Sequence, residues 1–366
     1  MKKILMINYE FPPIGGGTAN ANYYFLKELS KIKDISVDLV TSTCGNRNLI
    51  EKFSDNINIH KIGIKKKDLH HWSFTEILSW CVKAFFYLKK LIEKGSFDIN
   101  HCWCGWPSGY FGYLFRNKIP YIVALRGHDV PGYEVRYEKI EKLFIRDLSR
   151  KIWRNAKKLT ANSSELAALS QNTLKTNIEI IYNGIDTDEF KPIPRNECEK
   201  IILISTGRLG QRKGHIYLLK ALRKYEEFKL IIVGQGAEFE TLKKESEGLD
   251  VEFRGYIEHK KLPAILNEAD AYISTSLVEG MSNSIMEAMA CGLPIISTNV
   301  GGAKELINGN GYVIDKTADV ESIEKAFDFY KNNKAFLASQ GRKSREIAER
   351  FSWANVAKQY IEKIYN

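Results

Sequence analysis

Two carboxylates and two cations are spaced for work on a phosphorylated ligand. Glu279 and Glu287 stand eight positions apart in the stretch from Ser274 to Ile307, STSLVEGMSNSIMEAMACGLPIISTNVGGAKELI. That stretch leaves an apolar run, AYIST, for a polar turn at Glu279-Gly280, and a helix is predicted to start between Ser282 and Ser284. It ends in a second apolar run, LPIIST, before Gly301-Gly302. Strand, turn, helix, strand is the pattern of an α/β ligand site, where ligands lie beyond the carboxyl ends of parallel strands and meet helix amino termini. With a helix beginning near Asn283, Glu279 falls in the turn and Glu287 one turn inside, so both can face one crevice. Such a pair suits hydroxyls at one end of a ligand whose other end is a phosphate. Ser284-x-x-Glu287 equally fits a capping box, in which Glu287 serves only the backbone. Upstream, Arg208 and Lys213 share the loop from Thr206 to His215. Arginine offers a planar fork to phosphate oxygens and lysine a point charge. Fixed in place together, they would let a diphosphate depart without a metal ion. Either alone reads as a solvated surface charge.

The elements that must position these groups form two series. In the first half, apolar runs at Lys3–Asn8, Val37–Thr41, Ile57–Ile62, Ile99–Trp103, Tyr121–Leu125 and Lys158–Ala161 are interleaved with helical stretches. This alternation predicts a doubly wound parallel sheet. After the first run, Pro12-Pro13 stops the strand and Gly15-Gly16-Gly17 forms a bare loop ahead of a helix carrying Tyr23 to Leu29, with Thr18 or Asn20 as the expected cap. Backbone amides in such a loop can approach an anion. The loop is neither the dinucleotide fingerprint nor a P-loop, since Asn20 stands at the last glycine and no Lys-Ser/Thr pair follows. His128, in Arg126-Gly127-His128-Asp129, follows the YIVAL strand and is a candidate substrate contact. Ile180 to Phe190 reads as the crossover between domains. A second series then runs through strands at Ile201–Ser205, Leu230–Val233 and Val251–Phe253, with helices expected at His215 to Tyr225 and Lys261 to Ala269. The ending, Phe351-Ser352-Trp353 and a helix to Asn366, reads as an arm folding back on the first domain.

A chain of 366 residues predicts two domains rather than one core. The six cysteines show no zinc spacing, and Cys102-Trp103-Cys104 reads as reduced structural thiols. No apolar run reaches about 18 residues, and MKKILMINYEF is interrupted too early for a signal peptide, so a cytosolic chain is expected. The net charge of +10 is one-sided: residues 1–185 carry +11 and residues 186–366 carry −1. That field suits an anionic partner. With no nucleic-acid module present, the expected partner is an anionic acceptor or a membrane face. The segment KKKDLHHWSFTEILSWCVKAFFYLKKLI joins Lys65 to Lys67 to an aromatic amphipathic helix, which either packs on its sheet or docks on an anionic membrane.

In combination, GR-x4-KG at Gly207–Gly214, FRGY at Phe253–Tyr256 and EGMSNSIMEAMACGLPII with its E-x7-E pair resemble the GT-B glycosyltransferases of family GT4. So do PPIGGG, YNGID and FSW, in family order along nearly the whole chain. The resemblance implies an α/β protein of two Rossmann-like α/β/α domains facing a central cleft. Residues 1–184 would bind the acceptor and residues 185–350 the donor, with 351–366 packed back on the first domain. It implies retaining, metal-independent transfer from a UDP- or GDP-sugar, without a cofactor, to a glycan or lipid-linked acceptor in bacterial surface polysaccharide or lipopolysaccharide synthesis. By the same resemblance Arg208 and Lys213 would hold the diphosphate, Glu287 the ribose hydroxyls and Glu279 the donor-sugar hydroxyls. Gly255, Tyr256 and Ile257 would line the base, Gly16 and Gly17 would approach the phosphate and sugar, and His128 would sit beside the anomeric centre. Gly280, Met281, Ser282 and Asn283 complete the donor contacts, at a position that varies among such enzymes. A nucleotide-sugar epimerase or an inactive nucleotide-sugar-binding protein are the alternatives.

Overall fold

The structure is a computed structural model and describes residues 1–69, 71–133, 145–194, 198–279 and 281–366. It divides into two compact units: Met1–Gly184 with Trp353–Asn366, and Ile185–Ser352. The division therefore falls between Gly184 and Ile185 and again between Ser352 and Trp353.

The first unit is built on eight strands. They are β1 (Lys2–Ile7), β2 (Ile35–Cys44), β3 (Leu49–Ser54), β4 (Ile57–Ile64), β5 (Ile99–Cys102), β6 (Tyr121–Leu125), β7 (Lys158–Ala161) and β8 (Glu179–Ile180). Their order is β3-β4-β2-β1-β5-β6-β7-β8. Ile4 is registered with Val37 on one side and Ile99 on the other. Ile4 to Ile7 are fully buried, as expected of a central parallel strand covered on both faces. The expectation of a wholly parallel sheet needs one correction: β3 pairs with β4 antiparallel. Its residues Leu49 and Ile50 are exposed at the sheet edge, so burial imprinted no apolar pattern on it.

The helix Phe74–Lys94 opens with a capping box between Ser73 and Glu76. Amides of Ser73 and Lys67 hold the Glu76 carboxyl down to about 2. One face buries Trp80, Ala84 and Leu88, while Phe74, Leu78, Val82 and Phe86 stand exposed on another. The carboxy-terminal helix beginning at Trp353 packs against Gly17–Leu29, with Trp353 stacked on Tyr24 at 6.4 Å. Further along, Tyr365 Oη lies 2.7 Å from buried His101 Nδ1.

The second unit holds β9 (Ile201–Thr206), β10 (Phe228–Val233), β11 (Val251–Gly255), β12 (Ala271–Ser274), β13 (Ile295–Thr298) and β14 (Gly311–Ile314). All pairs are parallel, in the order β11-β10-β9-β12-β13-β14. In sequence terms this is 3-2-1-4-5-6, the Rossmann arrangement, whose direction reverses between β9 and β12. The reversal splits the loops after these strands, and in open α/β sheets the carboxyl ends at such a point are where ligands bind.

Candidate active site

Four loops meet at the carboxyl edge of the second sheet, and close backbone approaches lock them together. After β9, the Gly207 amide donates to the carbonyl of Val233 at 2.9 Å, and Leu209 to that of Gln235 at 2.9 Å. Gly234, at φ +139, donates to the Gly255 carbonyl at 2.7 Å. A Cβ there would lie 1.8 Å from the Gly207 carbonyl oxygen, so no side chain fits. Glycines that fail the dinucleotide pattern are thus required for a different reason: they let loop backbones touch. On the other side of β9, the Leu277 amide donates to Arg212 O at 2.7 Å and Thr275 Oγ1 to Lys213 O at 3.2 Å.

This lattice brings Lys213 to Glu279. Lys213 Nζ donates to Glu279 Oε1 at 2.5 Å, and Ser276 Oγ to the same oxygen at 2.9 Å. Both side chains are mostly covered, at 19% and 13% exposure. Burial works against both charges, yet each holds the other ionised: Lys213 titrates above its usual value and Glu279 below. Arg208 is exposed in the same loop and has no ion pair among the described residues. His215, the first residue of the helix after this loop, is driven by burial and by Lys213 to about 4, so it stays neutral, 3.1 Å from Ser205 Oγ.

The helix Asn283–Ala290 takes Ser282 as its cap, with Ser282 Oγ accepting from the Ile285 amide at 3.5 Å. Ser284 therefore lies inside the helix, and the Ser284–Glu287 capping box is not formed. Glu287 is freed from that backbone role. Its Oε1 accepts instead from His259 Nε2 at 3.0 Å, a contact no local sequence signal announced, because the partners are 28 residues apart. Met281 and Ser282 are buried and Asn283 half-buried; Gly280 lies outside the described residues. At the end of β11, Gly255 (φ +62) has open space where a Cβ would stand, and beyond it Tyr256 is 60% exposed and Ile257 half-buried. The expected helix Lys261 to Ala269 is instead a 3-10 turn, His259–Lys261, followed by the short helix Leu262–Leu266. That tight turn aims His259 at Glu287.

In the first unit, Gly16 and Gly17 follow β1 at the point where that sheet's order also reverses. The helix begins at Gly17 with Gly16 as its cap and no side-chain cap bond, so neither Thr18 nor Asn20 has the expected role. Both glycines are exposed, and a Cβ on Gly16 would meet nothing. Exposed His128 packs edge-on against Tyr133 with ring centroids 5.2 Å apart. Its loop is shaped by Asp129, which accepts from the amides of Arg126 (2.9 Å), Gly127 (2.8 Å) and Gly105 (2.5 Å).

Both halves of the chain match known protein families. Residues 15–189 match the model of Glycosyltransferase Family 4, and residues 186–347 that of Glycosyl transferases group 1. An uncharacterised glycosyltransferase of Methanocaldococcus jannaschii is 26% identical over 96% of this chain and 94% of its own length. An uncharacterised glycosyltransferase of Haemophilus influenzae is 31% identical over 46% of this chain and 51% of its own. Sucrose-phosphate synthase from Thermosynechococcus elongatus superposes with a TM-score of 0.84 at 20% identity, over 99% of this chain and 98% of that one. Anabaena HepE, solved with UDP-glucose, gives 0.74 at 18% identity over 100% and 99%.

Proposed function

The chain is a glycosyltransferase of the GT4 type with the GT-B fold, and we propose that it is a retaining enzyme that moves a sugar from a UDP- or GDP-sugar to a glycan or lipid-linked acceptor. The observation that carries this reading is the Lys213–Glu279 pair at the carboxyl edge of the second sheet. An ammonium has three donors, so Lys213 can keep Glu279 and still reach a phosphate oxygen. In this reading Arg208 and Lys213 neutralise the diphosphate as the bond from its oxygen to the anomeric carbon breaks. The acceptor oxygen attacks from the same face, and its proton leaves with the phosphate. Two fixed cations supply the charge stabilisation, so the proposal includes no metal and no cofactor. Glu279, buried and ionised, is suited to accept hydrogen bonds from sugar hydroxyls, Glu287 from ribose, and the amides at Met281 to Asn283 face anionic oxygens at a helix amino terminus. Gly255 to Ile257 would line the base, with Tyr256 as the aromatic ring of that stretch. Gly16, Gly17 and His128 are assigned to the donor by the family resemblance alone.

We place the acceptor in bacterial surface-polysaccharide or lipopolysaccharide synthesis and the enzyme in the cytoplasm, in peripheral contact with the inner membrane. No helix among the described residues is long and apolar enough to cross a membrane. Support for surface contact comes from the helix Phe74–Lys94: Phe74, Leu78, Val82 and Phe86 are 52–74% exposed at four-residue intervals, and Lys65, Lys67, Lys89 and Lys90 are exposed nearby in the chain. An apolar stripe with flanking cations matches an anionic bilayer surface. Purified protein incubated with UDP- and GDP-sugars in EDTA should hydrolyse one donor slowly and transfer its sugar, with the anomeric configuration kept, to an acceptor extract. Interconversion of the sugars, or binding with no turnover, would overturn the assignment. Vesicle binding should require anionic lipid and weaken with salt; equal binding to neutral vesicles would remove the membrane contact.

A further inference from the structure

The His259 imidazole is bracketed by acids from two other segments. On one side is Glu287 Oε1, 3.0 Å from Nε2, on the helix Asn283–Ala290. On the other is Glu189 Oε1, 3.9 Å from Nδ1, in the segment that enters the second unit. The Phe190 ring closes a third side edge-on, with centroids 5.2 Å apart. That segment is itself fixed, because Arg345 donates to the carbonyls of Thr187 (3.0 Å), Phe190 (2.8 Å) and Ala290 (2.8 Å). The other titratable groups nearby do not compete. Cys291 is a thiol pushed by burial to about 12, while on the histidine's own turn Glu258 and Lys261 pair at the surface and Lys260 is exposed.

Glu287 has a second oxygen, with no hydrogen bond among the described residues. Resting on the donor-binding reading above, we infer that His259 is a positioning residue. By holding Oε1 of Glu287 it turns the other carboxylate oxygen toward the ribose hydroxyls of a nucleoside diphosphate, and its own charge state sets how firmly.

The sign follows from the bracket. Burial opposes the imidazolium, but the hydrogen bond and charge of Glu287, with Glu189 behind, raise His259 above its ordinary value near 6.5. Below that raised value both ring nitrogens carry protons and each faces an acid. Above it one N–H remains, and the nitrogen that loses its proton presents a lone pair to a carboxylate. The neutral ring keeps its proton on Nε2, which is 3.0 Å from Glu287 while Nδ1 is 3.9 Å from Glu189, so the bond to Glu287 persists but loses its charge assistance. Ribose recognition is therefore complete on the acid side and weakens as pH rises through the histidine's titration.

The experiment is calorimetric titration of the full chain with UDP, GDP and ADP and with their 2′,3′-dideoxy counterparts, from pH 6.5 to 9. The paired probes carry the same diphosphate, so their affinity ratio isolates the ribose contact. For the nucleotide that binds, the wild type should prefer the ribo form about tenfold at pH 6.5 and about twofold at pH 9. His259→Ala should show little preference at either pH. His259→Gln, whose amide donates without titrating, should keep the preference at both. Glu189→Gln leaves the His259–Glu287 bond in place and should move the loss of preference to lower pH. A His259→Ala protein with the wild-type ratio and pH response overturns the inference while leaving the donor site standing. A folded wild type that binds none of the three nucleotides overturns the donor site itself.

Discussion

In the second sheet the loops after β9 and β12 direct their charges at one another's side chains, Lys213 to Glu279, with Glu287 turned to His259. At the carboxyl edge of the first sheet the acid Asp129 directs its charge at three backbone amides, and the glycine loop offers bare backbone. Both sheets contain the same reversal of strand order, so topology does not distinguish them. The difference lies in whether the ionised group is consumed by the fold or left exchangeable. A carboxylate bonded to three amides is structural, because no ligand offers a better set of donors. A lysine with one partner and spare donors can engage a ligand without giving up that partner.

Three measurements can break or sharpen this contrast. The largest effect is expected at Lys213: Lys213→Ala should lower transfer by about 10²–10³-fold, the size seen when one preorganised charge-stabilising donor is lost. Its circular dichroism should be unchanged, and unaltered turnover would refute the role. The counterpart in the first unit is Asp129→Ala, which leaves amides at Arg126, Gly127 and Gly105 without their acceptor. It should cost about 2–3 kcal/mol in urea unfolding. An Asp129→Ala chain as stable as the wild type would erase the distinction between a consumed and an exchangeable charge.

The smallest effect concerns pH. Glu76 in the folded chain titrates near 2, below its ordinary 4.5. Its contribution is therefore present above 4.5 and disappears as pH falls from 4.5 toward 2. Glu76→Ala should cost about 1 kcal/mol at neutral pH and flatten that acid slope in urea titrations. The Lys213–Glu279 pair behaves otherwise across neutrality. With the acid lowered and the base raised, it stays ionised across neutrality, whereas His259 is shifted upward toward that range.

The strands were legible because a parallel strand buried on both faces must be an unbroken apolar run, as at Tyr121–Leu125, where the predicted and observed limits coincide. The exposed edge strand Leu49–Ser54 was not legible, since no burial shaped it. Helix starts were harder. The cap at Gly16 uses no side chain, and Ser282 rather than Ser284 took the capping position because local spacing fits either.

The sequence alone determined the family, through motifs whose order along the chain is improbable by accident, and with it the candidate residues for the site: Arg208, Lys213, Glu279 and Glu287. Only the tertiary structure decided their pairing. Lys213 and Glu279 are 66 residues apart, and His259 and Glu287 are 28 apart. Hydrogen bonds and charge attraction act over a few ångströms, so which groups meet depends on how crossed strands bring distant loops to one edge.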